Sequence, residues 1–236
     1  MFDDAKHAWH TGRTTLRCSN IQHMSFFEHS LLNRTYSIKL YYSFKRRVLS
    51  HDSLIGYMAL HIGDAAPAFE LQNSNANQGA SLMNLGHSRG ENGLIVVFEC
   101  NHCPYVIASV SRLEAMAGKA NGQGIGFVGI NSNDPTSYPN DSFEHMQARA
   151  ERMSYPYLHD LTQDVAHAYD AKRTPEFFLF DNKLRLVYKG RMDDSPRDPT
   201  QVQLTELDDA IQAMLAGTTP KTAITESIGC SVKWKM

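Results

Sequence analysis

From Met58 to about residue 215, short apolar runs alternate with stretches whose apolar positions recur at helical spacing. Leu94 to Glu99 is an apolar, β-branched run bounded by Gly93, which predicts a buried strand. Val106, Val110, Leu113 and Ala117 then fall at helical spacing, so a helix spans residues 104–117 and Gly118 to Gly124 ends it. Ile125 to Ile130 predicts a second buried strand, and Asn133-Asp134-Pro135 turns the chain. Asp141-Ser142-Phe143-Glu144 has the spacing of a capping box, with Asp141 as N-cap, and opens a helix to about Met153. Tyr155 to Leu158 reads as a short strand and Thr162 to Ala171 as a helix. Glu176 to Phe180 is a strand that turns at Asp181-Asn182 and returns as Leu184 to Tyr188. Val202 to Leu215 closes with an amphipathic helix. Upstream, Ala68 to Leu71 is a short strand, and residues 72–93, rich in Asn, Gly and Ser, read as loop.

Buried strands joined by crossover helices pair in parallel, and the late hairpin adds antiparallel strands. The expected fold class is α/β, a central mixed sheet with helices on both faces. A chain of 236 residues, 42% of them hydrophobic, supplies one sizeable core. The formal net charge is -2 with no block of one sign, which argues against a nucleic-acid partner. No apolar run approaches the ~20 residues of a membrane span, so no membrane partner is expected.

Residues 1–57 look different. They hold eight Lys and Arg against four acids, a charge of about +4, and no Pro. The expected organisation is a leader over 1–57 without its own fold, disordered or an upstream extension, and one domain over 58–236. The leader lacks the order of basic start, apolar stretch and small-residue cleavage site of a secretory signal, so a cytoplasmic location is expected.

The candidate chemistry lies between the first strand and the first helix. Four cysteines, Cys18, Cys100, Cys103 and Cys230, are too few for a disulfide scaffold. Cys100 and Cys103, at the mouth of a helix, have the spacing of a redox couple. Unpaired N–H groups and the helix dipole favour a thiolate there. The expectation is an ionised Cys100 that attacks a disulfide sulfur, and a more buried, less ionised Cys103 that resolves the mixed disulfide. His102 and Glu99 are candidate tuning residues, and a carboxylate at Glu99 opposes thiolate formation if it points at the sulfur. Pro104 lacks an N–H, which costs little in a first helical turn. The pair carries two electrons itself, so no cofactor is required. Cys230 is a candidate third thiol or a structural cysteine. Metal binding is an alternative, since Cys100, His102, Cys103 and Cys230 are soft or borderline donors.

With the strand before it, Cys100-Asn101-His102-Cys103-Pro104-Tyr105 resembles the active-site segment of the thioredoxin superfamily. Thr174-Pro175, directly before a strand, resembles that superfamily's second signature. The resemblance implies a thioredoxin-like fold, a cis bond at Pro175 facing the cysteines, and a Thr174 backbone that pairs with an extended substrate. The start Gly63-Asp64-Ala65-Ala66-Pro67-Ala68-Phe69 looks like the opening of a redoxin or AhpC/TSA-type domain. With Thr174 to Asp181 and Ile228 to Lys235, it is similar to the peroxiredoxin-like group. That implies protein or small-molecule disulfides or hydroperoxides as partners, and an unidentified thiol electron donor. Two departures stand out. Peroxiredoxins carry Pro-x-x-x-Thr-x-x-Cys, where this chain has Gly93 and Val97, and many thioredoxins carry Trp where it has Glu99. Thiol–disulfide exchange is therefore the expected function. A thiol-dependent, antioxidant peroxidase and a copper-binding chaperone are the alternatives.

Overall fold

β3 (Gly93–Phe98) carries no polar side chain and is buried along its whole length. Such a strand needs cover on both faces. In the computed structural model, which describes residues 59–236, it lies inside a seven-stranded mixed sheet. The expected leader lies outside the described residues. β4 (Ile125–Asn131) runs parallel to β3 and pairs in parallel with β5 (Tyr157–His159). β1 (Glu70–Asn73) and β2 (Leu82–Asn84) extend that side antiparallel. On the other side β7 (Glu176–Asp181) and β8 (Leu186–Gly190) form the antiparallel hairpin. The order is β2-β1-β5-β4-β3-β7-β8.

Alternate residues of β3 serve two cores. Ile95 and Val97 pack with residues of α2 (Pro104–Gly122), α3 (Phe143–Ala150) and α5 (Glu206–Leu215). Leu94, Val96 and Phe98 pack with α4 (Asp164–Tyr169) and with Leu60 and Phe69. On this second face Phe98, Tyr169 and Phe178 meet edge to face, with ring centroids 5.4 to 5.7 Å apart. Each such pair adds about 0.5–1.5 kcal/mol beyond burial. No helix among the described residues is long and apolar enough to cross a membrane.

Several elements differ from the sequence expectation. Residues 72–93 are not all loop. They contain β2 and a short α1 (Leu85–Ser88), because Met83 turns into the core and Asn84 caps the helix by accepting the His87 N–H. α2 continues through Gly118 to Gly122. A glycine costs a helix about 1 kcal/mol, and the buried Ala117 and Ala120 hold that last stretch. The chain turns only at Gly124, at φ +71°. Val110 is 40% exposed, and the buried stripe of α2 is Val106, Ser109, Leu113, Ala117 and Ala120. α4 is trimmed at both ends by Gln163 and Asp170, which adopt left-handed backbone. α5 starts at Glu206 rather than Val202. The N-cap of α3 is Ser142, which accepts the His145 N–H, and Asp141 turns inward instead. Finally, the tail forms a strand. β9 (Cys230–Ser231) pairs antiparallel with β6 (Arg173–Thr174).

Candidate active site

The chain leaves β3 at Phe98, passes Glu99 to His102 as an irregular loop, and enters α2 with Cys103 as N-cap and Pro104 in the first turn. Both Cys100 and Cys103 are fully buried. Thr174 meets both. Its hydroxyl lies 3.5 Å from the Cys100 Sγ, and its carbonyl accepts from the Cys103 thiol at 3.1 Å. The Thr174–Pro175 bond is cis. Strand β6 thus lays Thr174 and Pro175 beside the loop that carries the cysteines.

The two sulfurs are buried in one cluster, so their titrations are linked. The Cys100 thiol is pushed well up by its hydrogen bond to Cys103, by burial and by the Asp141 carboxylate. The Cys103 thiol is pulled down by hydrogen bonds from Cys100, Cys230 and Thr174 and by the Val106 N–H, against the opposing effect of burial. The expectation gave the ionised form to Cys100 and the deeper burial to Cys103; here both are equally buried, and the Asp141 carboxylate opposes a thiolate at Cys100. The physical reason is position: the nearby acid, Asp141, stands beside Cys100, while Cys103 is the N-cap of α2.

That acid is not Glu99. Glu99 is fully buried, ion-paired with Arg149 and hydrogen-bonded by the Tyr155 hydroxyl at 2.9 Å. Burial disfavours the Arg149 cation, and Glu99 together with the Tyr157 and Tyr155 hydroxyls more than offsets that. Arg149 also donates to the Cys100 carbonyl at 2.8 Å and lies over the Tyr157 ring at 5.0 Å. Glu99 and Arg149 therefore fasten the cysteine loop to α3. Gly129 makes the room, since a Cβ there would lie 2.3 Å from the Glu99 Oε1.

The acid beside Cys100 is Asp141, fully buried and ringed by donors. It accepts from the Asn101 N–H at 2.7 Å, His102 Nδ1 at 2.5 Å, Asn133 Nδ2 at 2.8 Å and Asn131 Nδ2 at 3.3 Å. His102 is held by this bond and stacks on Tyr138, with centroids 5.1 Å apart. Sequence reasoning missed Asp141 as a site residue because its spacing to Glu144 imitated a cap. The signal that pointed to it was the row of amides, Asn131 and Asn133, at the end of a buried strand. Ligand atoms of Cys100, His102 and Asp141 all lie within 4.8 Å of one another. One thiol, one imidazole and one carboxylate form a set that zinc or copper accepts. Cys103 and Cys230, candidates in the sequence, are not part of that set.

Cys230 sits opposite Thr174 in the β6–β9 pair and is partly exposed. Its thiol is pushed up to about 11, by burial first and by its hydrogen bond to Cys103 second. The site thus unites Cys100, Cys103, Thr174, Pro175, His102 and Cys230, and turns Glu99 away as a structural anchor.

A strand-to-helix junction carrying two thiols, placed beside a cis-proline at the edge of a mixed sheet flanked by helices, defines a thioredoxin-like fold. Comparison with known proteins agrees. The Redoxin family model matches residues 61–210, and the chain belongs to that family. An uncharacterised conserved protein from Geobacillus kaustophilus is 39% identical, with a TM-score of 0.69, and the match covers 75% of this chain and 93% of that one. A hypothetical protein from Sinorhizobium meliloti is 36% identical, with a TM-score of 0.68, covering 75% and 97%. A candidate thiol:disulfide interchange protein, DsbE, from Chlorobium tepidum shares the fold at 20% identity and a TM-score of 0.51, covering 66% and 99%. No curated protein matches.

Proposed function

We propose that the chain is a thiol–disulfide oxidoreductase in which Cys100 and Cys103 cycle between dithiol and disulfide. The observation that carries this is the pair itself, two buried sulfurs that both meet one residue, Thr174, beside a cis-proline. Cys103 first gives up to solvent the proton that it donates to the Thr174 carbonyl, and its thiolate then takes the Cys100 proton as the Cys100 Sγ attacks one sulfur of a substrate disulfide. A Cys100–substrate bond forms, the substrate disulfide breaks, and the leaving thiolate receives the proton from Cys103. Cys103 then attacks the Cys100 Sγ, closes the internal disulfide and releases the second substrate thiolate. Two electrons pass from the pair to the substrate, and no cofactor takes part. Thr174 orients both sulfurs. His102, held by Asp141, closes the side of the loop next to Cys100. An external thiol reductant, of unknown identity, returns the pair to its dithiol form, and a cytoplasmic location belongs to the same reading.

The test is kinetic. Reduced protein is given either a small-molecule disulfide or stoichiometric hydrogen peroxide, with free glutathione as the reference. Disulfide consumption well above glutathione, with peroxide consumption near it, is the expected result. A peroxide rate far above glutathione makes the protein a peroxidase despite Val97 in place of the Thr, with the Thr174 hydroxyl, 3.5 Å from the Cys100 Sγ, in a position to take that role. A second reading, metal binding, rests on the cluster of Cys100, His102 and Asp141. It requires the His102–Asp141 bond to give way, and protein purified without chelator should then carry a stoichiometric ion.

A further inference from the structure

Cys103 has a thiol neighbour on each side. One is Cys100, and the other is Cys230, which comes from the C-terminal segment, packs against the cluster that holds both cysteines, and pairs with Thr174, whose carbonyl lies 3.1 Å from the Cys103 Sγ. Cys230 is outside residues 61–210, which the family model matches. Its approach is built, not incidental. Gly229 passes so close to β6 that a Cβ there would lie 2.2 Å from the Thr174 carbonyl oxygen and 2.7 Å from its carbon. Only glycine lets the tail come this near. The tail is then tied down beyond Cys230. Val232 donates to the Lys172 carbonyl at 3.0 Å, and Lys233 to Asn133 Oδ1 at 2.8 Å. The buried Gln163 binds the Lys233 carbonyl at 2.9 Å and the Lys235 N–H at 2.8 Å.

Two features give this placement a meaning. Cys100 and Cys103 are fully buried, whereas Cys230 is partly exposed. Moreover, the backbone edge of Thr174, where an extended peptide would add as a strand, is already occupied by β9. Cys230 therefore faces the pair as an internal substrate cysteine would.

We propose that Cys230 is a third redox thiol, and that the active-site disulfide shifts along the row Cys100, Cys103, Cys230. This rests on the exchange activity proposed above. In the step, the Cys230 sulfur attacks the Cys103 Sγ of the Cys100–Cys103 disulfide. The Cys103–Cys230 bond forms, the Cys100–Cys103 bond breaks, and Cys100 leaves with the electron pair and takes the proton given up by Cys230. No electrons enter or leave. The step restores a free Cys100 for the next substrate and carries the disulfide to a position that an external thiol reaches.

The experiment maps disulfides in the full chain carrying Cys18→Ser, to keep the leader thiol out of the reaction. Dilute protein receives one equivalent of diamide, free thiols are alkylated, and peptides are identified by mass spectrometry, with the intact mass confirming a monomer. The linkage follows from which cysteine is alkylated. Wild-type sites should give two populations, one alkylated at Cys230 and one at Cys100. Cys100→Ser should give a Cys103–Cys230 disulfide, and Cys230→Ser only Cys100–Cys103. Gly229→Val should abolish the Cys103–Cys230 form and keep the Cys100–Cys103 form. If Cys100→Ser leaves Cys103 and Cys230 both alkylated while the wild type forms Cys100–Cys103, the third thiol is overturned and the exchange reading stands. If the wild type forms no disulfide at all, both are overturned.

Discussion

Cys103→Ser is expected to stop turnover and leave substrate disulfide-bonded to Cys100, and Cys100→Ser is expected to reduce exchange to the uncatalysed rate. Cys103 has two tasks in the proposed cycle, as the base that takes the Cys100 proton and as the sulfur that resolves the mixed disulfide. Without it, the Cys100 thiol sits buried beside Asp141 with no neighbouring thiolate to draw off its proton, so the mixed disulfide forms slowly, and once formed it persists because nothing resolves it. The same change has a pH signature. In the wild type one thiolate forms below the ordinary thiol value of 9.0, because Cys103 is stabilised by the Cys100 thiol, by Cys230 and Thr174, and by the Val106 N–H. Ultraviolet thiolate absorbance of the reduced protein should therefore persist well below pH 9 and vanish there in Cys103→Ser. Stability follows the same sign. A thiol lowered in the folded state stabilises it above the unfolded value, and that contribution is lost as pH falls toward the folded value. Cys100, raised in the folded state, works oppositely, and its penalty begins only above the ordinary thiol value. Between neutral pH and about 9, the Tm of reduced wild type should rise relative to that of Cys103→Ser. Parallel Tm curves, or full exchange activity in Cys100→Ser, would sink the mechanism.

Arg149→Leu is expected to cost about 3–5 kcal/mol in denaturant unfolding, the penalty for leaving one partner of a buried ion pair uncompensated. Glu99 has no exposed surface, and its remaining donor is the Tyr155 hydroxyl. The Gly129 backbone closes the space beside its Oε1. The substitution also frees the Cys100 carbonyl from its bond to Arg149. Exchange activity should thus fall even in the fraction that remains folded. Adding Glu99→Gln to Arg149→Leu removes the orphaned charge and should recover part of the stability, a coupling that a double-mutant cycle measures. A loss below about 1 kcal/mol for Arg149→Leu would mean that water compensates Glu99, as at an exposed pair.

How much of this site was legible in the chain depends on how far apart its parts lie. Leu94 to Phe98, the pair Cys100 and Cys103, and the helix after them are local. Apolar runs and helical spacing act over neighbouring residues, so the junction and its two thiols could be read directly. Thr174 and Pro175 were read from a resemblance, since nothing in their own neighbourhood points to the cysteines. Asp141 was misread, because the spacing to Glu144 that makes a capping box is also present when the aspartate turns inward. What turns it inward are donors from Asn101, Asn131 and Asn133, the first of them 40 residues away.

The sequence by itself determined the fold class, the mixed sheet and the place of the cysteine pair, because strand and helix patterns are properties of short segments. Only the tertiary structure decided which groups surround each thiol, which acid stands beside Cys100, and that Cys230 joins them. Electrostatic and hydrogen-bond partners are set by distance in space. A two-residue strand such as β9 has no periodicity to read, and it exists because Gly229 fits against Thr174.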